Sequence, residues 1–330
     1  MKNIACLLLT ICLLASCDRA FLKKELSTSY KFRNFDYLWN EVDKKYSFFD
    51  IKNIDWQATG QQYRSEIRED MSDEAFFNIL AAMMNSLKDD HTNLISPFNI
   101  SRYNIASRHT SQIHKPLLDK LFPEAMSTEA FFHDWVAGEH IGYIRYSAFT
   151  NNFSDAALDY VLDRYKDSKG IILDRRDNGG GIAANVGRIL GRFTQQELLV
   201  GYDQMRNGPL HNDFTPPIPI KITPQGHFFP HKMVVLTDRG SFSATTFFAL
   251  STKAFNNITL IGDTTGGGAG LPNGGELPNG WTYRFSITRM LDTNHQNYAE
   301  NGVPPDHVAT FDWTRPETDA VIEAAVNFLK

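Results

Sequence analysis

Two serines, Ser241 and Ser243, stand at the foot of an apolar run in DRGSFSATTFFAL (238–250), directly after the β-rich KMVVLTD (232–238). A strand, a tight glycine turn and a helix would set a hydroxyl at the positive end of the helix dipole, beside backbone N–H groups that have no intrahelical acceptor. An oxyanion is stabilised under those conditions, so either serine could be a nucleophile. Serine is also a favoured N-cap, contributing about 1 kcal/mol to a helix, and these residues alone leave both roles open.

A second stretch, GIILDRRDNGGGIAANVGRIL (170–190), reads as a strand running through Gly179, Gly180 and Gly181 into a helix. Consecutive glycines let backbone N–H groups turn toward a ligand without Cβ obstruction. GGGIAA (179–184) also fits the loose G-x-G-x-x-G/A nucleotide pattern, with Asp203 in place of the distant acid. Against that reading, Asp174, Arg175, Arg176 and Asp177 separate strand from glycines, whereas a nucleotide turn leaves its strand directly. In SLKDDHTNLIS (86–96), His91 follows a helix end and offers the usual general base near neutral pH. IGDTTGGGAG (261–270) and YAENGVPPDH (298–307) read as turns at strand ends, with Glu300 an acid in search of a base. Ten histidines include no H-E-x-x-H and no close pair with an acid at ligand spacing, so no metal or other cofactor is expected.

The elements that must position these groups fall into two patterns. Over 28–90 the spacing predicts helices, because Phe32, Phe35, Leu38, Trp39, Val42 and Tyr46 recur every three or four residues, as do Phe76, Leu80, Met83, Met84 and Leu87. Ser72 before Asp73 and Glu74 is a helix start. Residues 98–137 carry little periodicity and are expected to be a connector. From 138 onward, HIGYIRYSAF (140–149), GIILD (170–174), ELLVGYD (197–203), KMVVLTD and ITLIGD (258–263) alternate with helical stretches around 154–166, 182–193 and 243–255. That alternation predicts an α/β domain over 138–330 with a largely parallel sheet, interrupted by irregular excursions at 208–230 and 271–280 and closed by a helix over 317–330.

A formal net charge of −5 and the lack of a basic stripe argue against nucleic acid as a partner. MKNIACLLLTICLLASC (1–17) joins a lysine, a short apolar run and small residues, the layout of a secretory signal, too short for a membrane span. LASC resembles a bacterial lipobox, which implies cleavage after residue 16 and acylation of Cys17, tethering the mature chain to a membrane of the cell envelope. All three cysteines lie in this segment, so the mature chain is expected to have no disulfide framework.

KDDHT, HIGYIRYSAF, LDRRDNGGG, RGSFSATTF with TLIGDTTGGG, and NGVPPD, in this order, resemble the tricorn-core and C-terminal processing serine peptidase family. The resemblance implies a ClpP/crotonase-like catalytic domain behind a helical N-terminal domain (17–97), and a polypeptide substrate. Laid on the family's S-A-S-A-S-E motif, the nucleophile is Ser243 and not Ser241. An oxyanion hole is then expected from Ala244 and from Gly179 or Gly180. The processing branch takes its lysine base from a position that is Gly268 here, so a Ser–Lys dyad is not available, and Lys253 on the helix points elsewhere. The tricorn-like branch implies His91 as base and Glu300 as its acid. Two departures stand out. Asp90 replaces the serine that precedes the histidine, and Glu300 stands two residues before Gly302 where the family pattern has three. Asp90 and Glu300 are therefore both candidates to orient His91. The family's inserted PDZ domain is not expected, since fewer than fifty residues separate His91 from the strand at 140. A non-catalytic peptide- or lipid-binding lipoprotein on the same fold is the other reading, because fold alone does not determine function.

Overall fold

Consecutive apolar residues build the centre of the main sheet. The computed structural model describes residues 28–330, the side chains of residues 105 and 106 apart. The expected signal segment (1–16) and Cys17 lie outside the described residues. Strands β4 (Gly142–Arg145), β5 (Gly170–Asp174), β8 (Lys232–Thr237) and β9 (Ile258–Gly262) are buried almost throughout, as strands covered on both faces must be. They pair in parallel, with the short β13 (His307–Val308) beyond β9, while β3 (Phe131–Trp135) and β2 (Met126–Thr128) add antiparallel at the other edge. The seven-stranded order is β13-β9-β8-β5-β4-β3-β2.

Helices cover both faces. One core packs α6 (Asp155–Arg164), α7 (Ala184–Leu190) and α8 (Ala244–Thr252) on the sheet through Leu158, Val161, Val186, Ile189, Phe248 and Ala249. On the other face, α9 (Ala320–Leu329) and α5 (Lys115–Leu121) pack against Tyr143, Ile172, Val234 and Leu236.

A third core belongs to the N-terminal helices α1 (Lys31–Lys45), α2 (Phe49–Lys52), α3 (Trp56–Ser65) and α4 (Asp73–Asn85). Ser72 starts α4 as expected, its Oγ accepting the Ala75 N–H at 3.2 Å. This core takes Leu277, Trp281, Tyr283 and Phe285 from a hairpin of the C-terminal half, β10 (Pro272–Glu276) and β11 (Thr282–Ser286). That hairpin continues onto β1 (Asn93–Ile95), which pairs antiparallel with β11. Among the described residues no helix is long and apolar enough to cross a membrane.

Three segments differ from the sequence expectation. The connector, 98–137, carries α5, β2 and β3, whose short length hides their periodicity. The run at 197–203 leads to β6 (Leu198–Met205), which is only half buried and pairs antiparallel with β7 (Ile218–Ile222) and β12 (Thr288–Leu291), outside the main sheet. The excursion at 271–280 forms most of the hairpin, because its glycines on β10 face Tyr283 and Arg284 across a close pairing.

Candidate active site

Ser243 lies where β8 gives way to α8, at the carboxyl end of a central strand. Its backbone has φ 58° and ψ −118°, a conformation that costs a non-glycine residue on the order of 1–3 kcal/mol. The surroundings hold it there. Its N–H donates to the Gly267 carbonyl at 2.9 Å, and its carbonyl accepts the Phe247 N–H at 2.9 Å. Gly180 lies against it so closely that a Cβ would come within 2.6 Å of the Phe242 carbonyl oxygen and 2.7 Å of Ser243 Cβ. The hydroxyl makes no capping bond; it faces His91 Nε2 at 3.0 Å.

Ser241 is used differently. Fully buried, its Oγ donates to the Arg175 carbonyl at 2.9 Å and accepts the Asp238 N–H at 3.0 Å, closing the turn. A hydroxyl spent on two backbone groups and shielded from solvent cannot attack a substrate. At Gly268, where a lysine base would stand, a Cβ would come within 2.4 Å of the Phe242 ring, and Lys253 is bonded to Asp306 at 2.6 Å.

His91 arrives on the loop between α4 and β1. Asp89 sets that loop, its Oδ1 accepting the His91 N–H at 2.8 Å and its Oδ2 the Ser286 hydroxyl at 2.9 Å. The Phe242 ring packs edge-to-face with the imidazole, their centres 4.9 Å apart. Burial pushes the imidazole below its ordinary pKa; the Asp89 and Asp90 charges and the Gly270 carbonyl oppose, while Arg284 reinforces the shift. A neutral imidazole with Nε2 facing a serine hydroxyl is arranged to accept its proton. Nδ1 is buried and, among the described residues, has no hydrogen-bond partner of normal geometry.

The two acids proposed from sequence take separate places. Asp90 lines the cleft beside His91 and acts on the ring through its charge. Glu300 is buried against Lys52, with Oε1 2.7 Å from Nζ and Oε2 accepting the Ala269 N–H at 3.0 Å; no hydrogen bond joins it to His91. Burial, with the Asp89 charge, pushes the Glu300 carboxyl up to about 7 against the pull of Lys52.

Donors for an oxyanion come from two loops. Ala244 is the first residue of α8, and among the described residues its N–H has no acceptor. The Gly180 N–H is directed away, donating to Asn178 Oδ1 at 3.0 Å, so the amides of the glycine loop without an acceptor among the described residues are those of Gly179 and Gly181. Asn178 is itself fixed by Thr245 Oγ1 at 2.8 Å and by the Tyr146 carbonyl at 2.7 Å. Upstream, Arg176 bridges Asp174 and Asp319, at 2.7 and 2.9 Å, tying the loop to the first turn of α9. Burial opposes the Asp174 charge, but Arg176 and Arg145 outweigh it and hold that carboxyl at about 2.

Ser243, His91, Asp90 and the three glycines line one cleft of about 610 Å³. Glu300, Lys52 and Asp89 line a smaller hollow of about 290 Å³, which shares Asp90 and Phe242 with the cleft as common wall. Sequence reasoning missed Asp89, Lys52 and Asn178. Asp89 was within reach as the neighbour of His91 in KDDHT, whereas Lys52 comes from a four-residue helix that carries no signal of its own.

A family model described as peptidase family S41 matches residues 140–309, and one described as the tricorn protease C1 domain matches residues 32–85. The crystal structure of a Parabacteroides merdae protein assigned to the peptidases is 36% identical, with a TM-score of 0.87 over 92% of this chain and 97% of that one. Mature CPAF shares the fold at 11% identity, with a TM-score of 0.68 over 91% of this chain and 96% of that one. The carboxy-terminal processing protease CtpB of Bacillus subtilis is 25% identical over 171 residues, 52% of this chain and 34% of CtpB. The chain thus spans about a third of the length of that curated relative.

Proposed function

The chain belongs to peptidase family S41, and from that premise we propose that it is a serine endopeptidase in which Ser243 is the nucleophile and His91 the general base. One observation carries this reading: a serine hydroxyl held at a strained helix start lies 3.0 Å from the Nε2 of a buried imidazole, on the wall of an open cleft. In the first step Ser243 Oγ bonds to the scissile carbonyl carbon as its proton passes to Nε2. The carbonyl π electrons move onto oxygen, and the Ala244 amide with that of Gly179 or Gly181 stabilises the resulting anion. Collapse of this intermediate expels the amine, which takes the proton back from His91. Water then repeats the sequence on the acyl-enzyme and frees Ser243.

Asp89 positions His91 through its backbone, the Asp89 and Asp90 charges act on the ring, and Glu300, paired with Lys52, braces the loop from behind. The substrate is a polypeptide of the cell envelope, reached by a chain exported through residues 1–16 and tethered at Cys17. A peptide- or lipid-binding protein on this fold is the second reading, favoured by the lack, among the described residues, of a carboxylate hydrogen-bonded to His91 Nδ1. A fluorophosphonate probe separates the two. It should label the wild-type protein at Ser243, fail on Ser243→Ala, and label His91→Ala slower by about three orders of magnitude. An unlabelled wild type, or labelling that survives Ser243→Ala, overturns the peptidase reading.

A further inference from the structure

The cleft that the glycine loop lines also carries two guanidiniums. Arg284 stands on β11, cross-strand from Asn93 on β1, two residues beyond His91. Its Nε donates to Asn93 Oδ1 at 2.6 Å, and Asn93 is locked in turn by its Nδ2 donating to the Ser101 carbonyl at 2.9 Å. The guanidinium is therefore propped from behind, and among the described residues its two terminal nitrogens have no acceptor. Arg102 lines the same cleft, one residue after Ser101. Among the described residues no carboxylate forms an ion pair with either arginine, whereas Arg64, Arg145, Arg176, Arg188 and Arg192 all have one. Asp90 is the acid lining this cleft, and against it two cations leave the cleft locally positive in a chain of net charge −5.

A guanidinium presents a planar fork of donors that fits a carboxylate with two parallel hydrogen bonds. We propose that Arg284 and Arg102 form a substrate subsite that grips a carboxylate of the polypeptide near the bond attacked by Ser243. The inference rests on the peptidase reading and adds a substrate class to it. Asn93 is a positioning residue for that subsite, holding Arg284 in the orientation that offers its free nitrogens to the cleft. The carboxylate has two sources, an aspartate or glutamate side chain and a chain terminus.

Matched peptides distinguish them: one set carries Glu or Gln at each position around the cut, the other a free or amidated C-terminus. The wild-type protein should cleave one carboxylate-bearing peptide with kcat/KM roughly ten- to a hundredfold above its neutral partner, the range for hydrogen bonds to a charged group. In the double variant Arg102→Gln/Arg284→Gln that ratio should fall to about one. A Glu preference identifies a side chain, and a free-terminus preference identifies the C-terminal carboxylate. Equal rates for both sets in the wild type, or a ratio that survives the double variant, overturn the subsite. Binding is read separately on Ser243→Ala by anisotropy of the labelled peptides. There the carboxylate form should bind more tightly, and Arg102→Gln/Arg284→Gln on that background should remove the difference. Equal binding of both forms refutes the subsite whether or not the protein hydrolyses peptides, while the fluorophosphonate result stands or falls alone.

Discussion

Replacing Lys52 by methionine tests the wiring behind His91. The Lys52 and Glu300 side chains are 8% and 2% exposed, so their 2.7 Å contact is a buried pair and not a surface pair of marginal worth. Lys52 also donates to the Lys88 carbonyl at 2.7 Å, joining the loop that carries Asp89 and His91 to the turn that carries Glu300. Removing one partner of such a pair strands the other and costs about 3–5 kcal/mol. The cost depends on pH in a direction that can be worked out. Glu300 is raised from 4.5 to about 7 in the folded chain, so between those values the native state holds more protons than the unfolded one. Stability attributable to this carboxyl is therefore present below about 4.5 and falls as pH rises through 7, by on the order of 3 kcal/mol.

Without Lys52 the folded Glu300 pKa climbs further, because the charge that opposed burial is gone. The loss in Lys52→Met should be small near about pH 5, where Glu300 is already neutral, and approach its full size near about pH 8.5. Urea unfolding at the two pH values measures it, read as a change in midpoint at constant slope. Adding Glu300→Gln should restore most of the stability at high pH, since an amide needs no counter-ion. Catalysis should show the same pattern, with kcat falling more than KM rises as the His91 loop loosens. A Lys52→Met variant equally stable at both pH values, or a double variant no better than the single, would refute the buried-pair account.

Three further outcomes follow from the geometry. The acid limb of kcat/KM should lie below the ordinary imidazole value, because burial lowers His91, and Arg284→Gln should move that limb upward by removing a nearby cation; a pH–rate profile shows both. Ser241→Ala should cost about 1–3 kcal/mol by opening the turn while leaving Ser243 reactive to fluorophosphonate, which denaturant unfolding and labelling measure side by side. Arg175 is fully buried among Tyr146, Phe149 and Phe248, 3.8 to 4.8 Å from their ring centres, with no acceptor for its guanidinium among the described residues, and burial pushes it down to about 9. Arg175→Leu should therefore raise the unfolding free energy by about 1–4 kcal/mol, the range found when buried charges are replaced by apolar side chains; a lower midpoint would show that the three rings repay the burial.

What was legible in the sequence was whatever local pattern encodes. The four central strands could be read because burial on both faces demands unbroken apolar runs, and α4 because Ser72 and the spacing of Phe76, Leu80 and Met83 mark its start and its buried face. The half-buried β6 passed for a strand of the same sheet, since a short apolar run does not say which neighbours it pairs with. Within the site, residues on chain-local devices were visible: Ser243 on a strand–turn–helix, the glycines on a loop that needs φ of +90° at Gly180 and +140° at Gly181. The roles of Glu300 and Lys52 were not, because each is defined by the other across nearly the whole chain. That also explains Asp89, whose two carboxylate oxygens serve a backbone two residues away and a hydroxyl on β11.

The helical region and the α/β sheet contribute one member each of the His91–Ser243 pair, and the hairpin β10–β11 keeps them in register. On one side it completes the core of the helices through Trp281, Tyr283 and Phe285; on the other it pairs with β1, two residues after His91. Ser286, at the end of β11, bonds Asp89, so the strand that anchors the helices also sets the loop carrying the imidazole. A shift of the helical region by one ångström would pass through this strand into the 3.0 Å contact between Nε2 and Oγ, and misplacement of that size can cost a hundredfold in rate. The burial of Trp281 and Phe285 is thus as much a condition of the site's geometry as the strained backbone of Ser243.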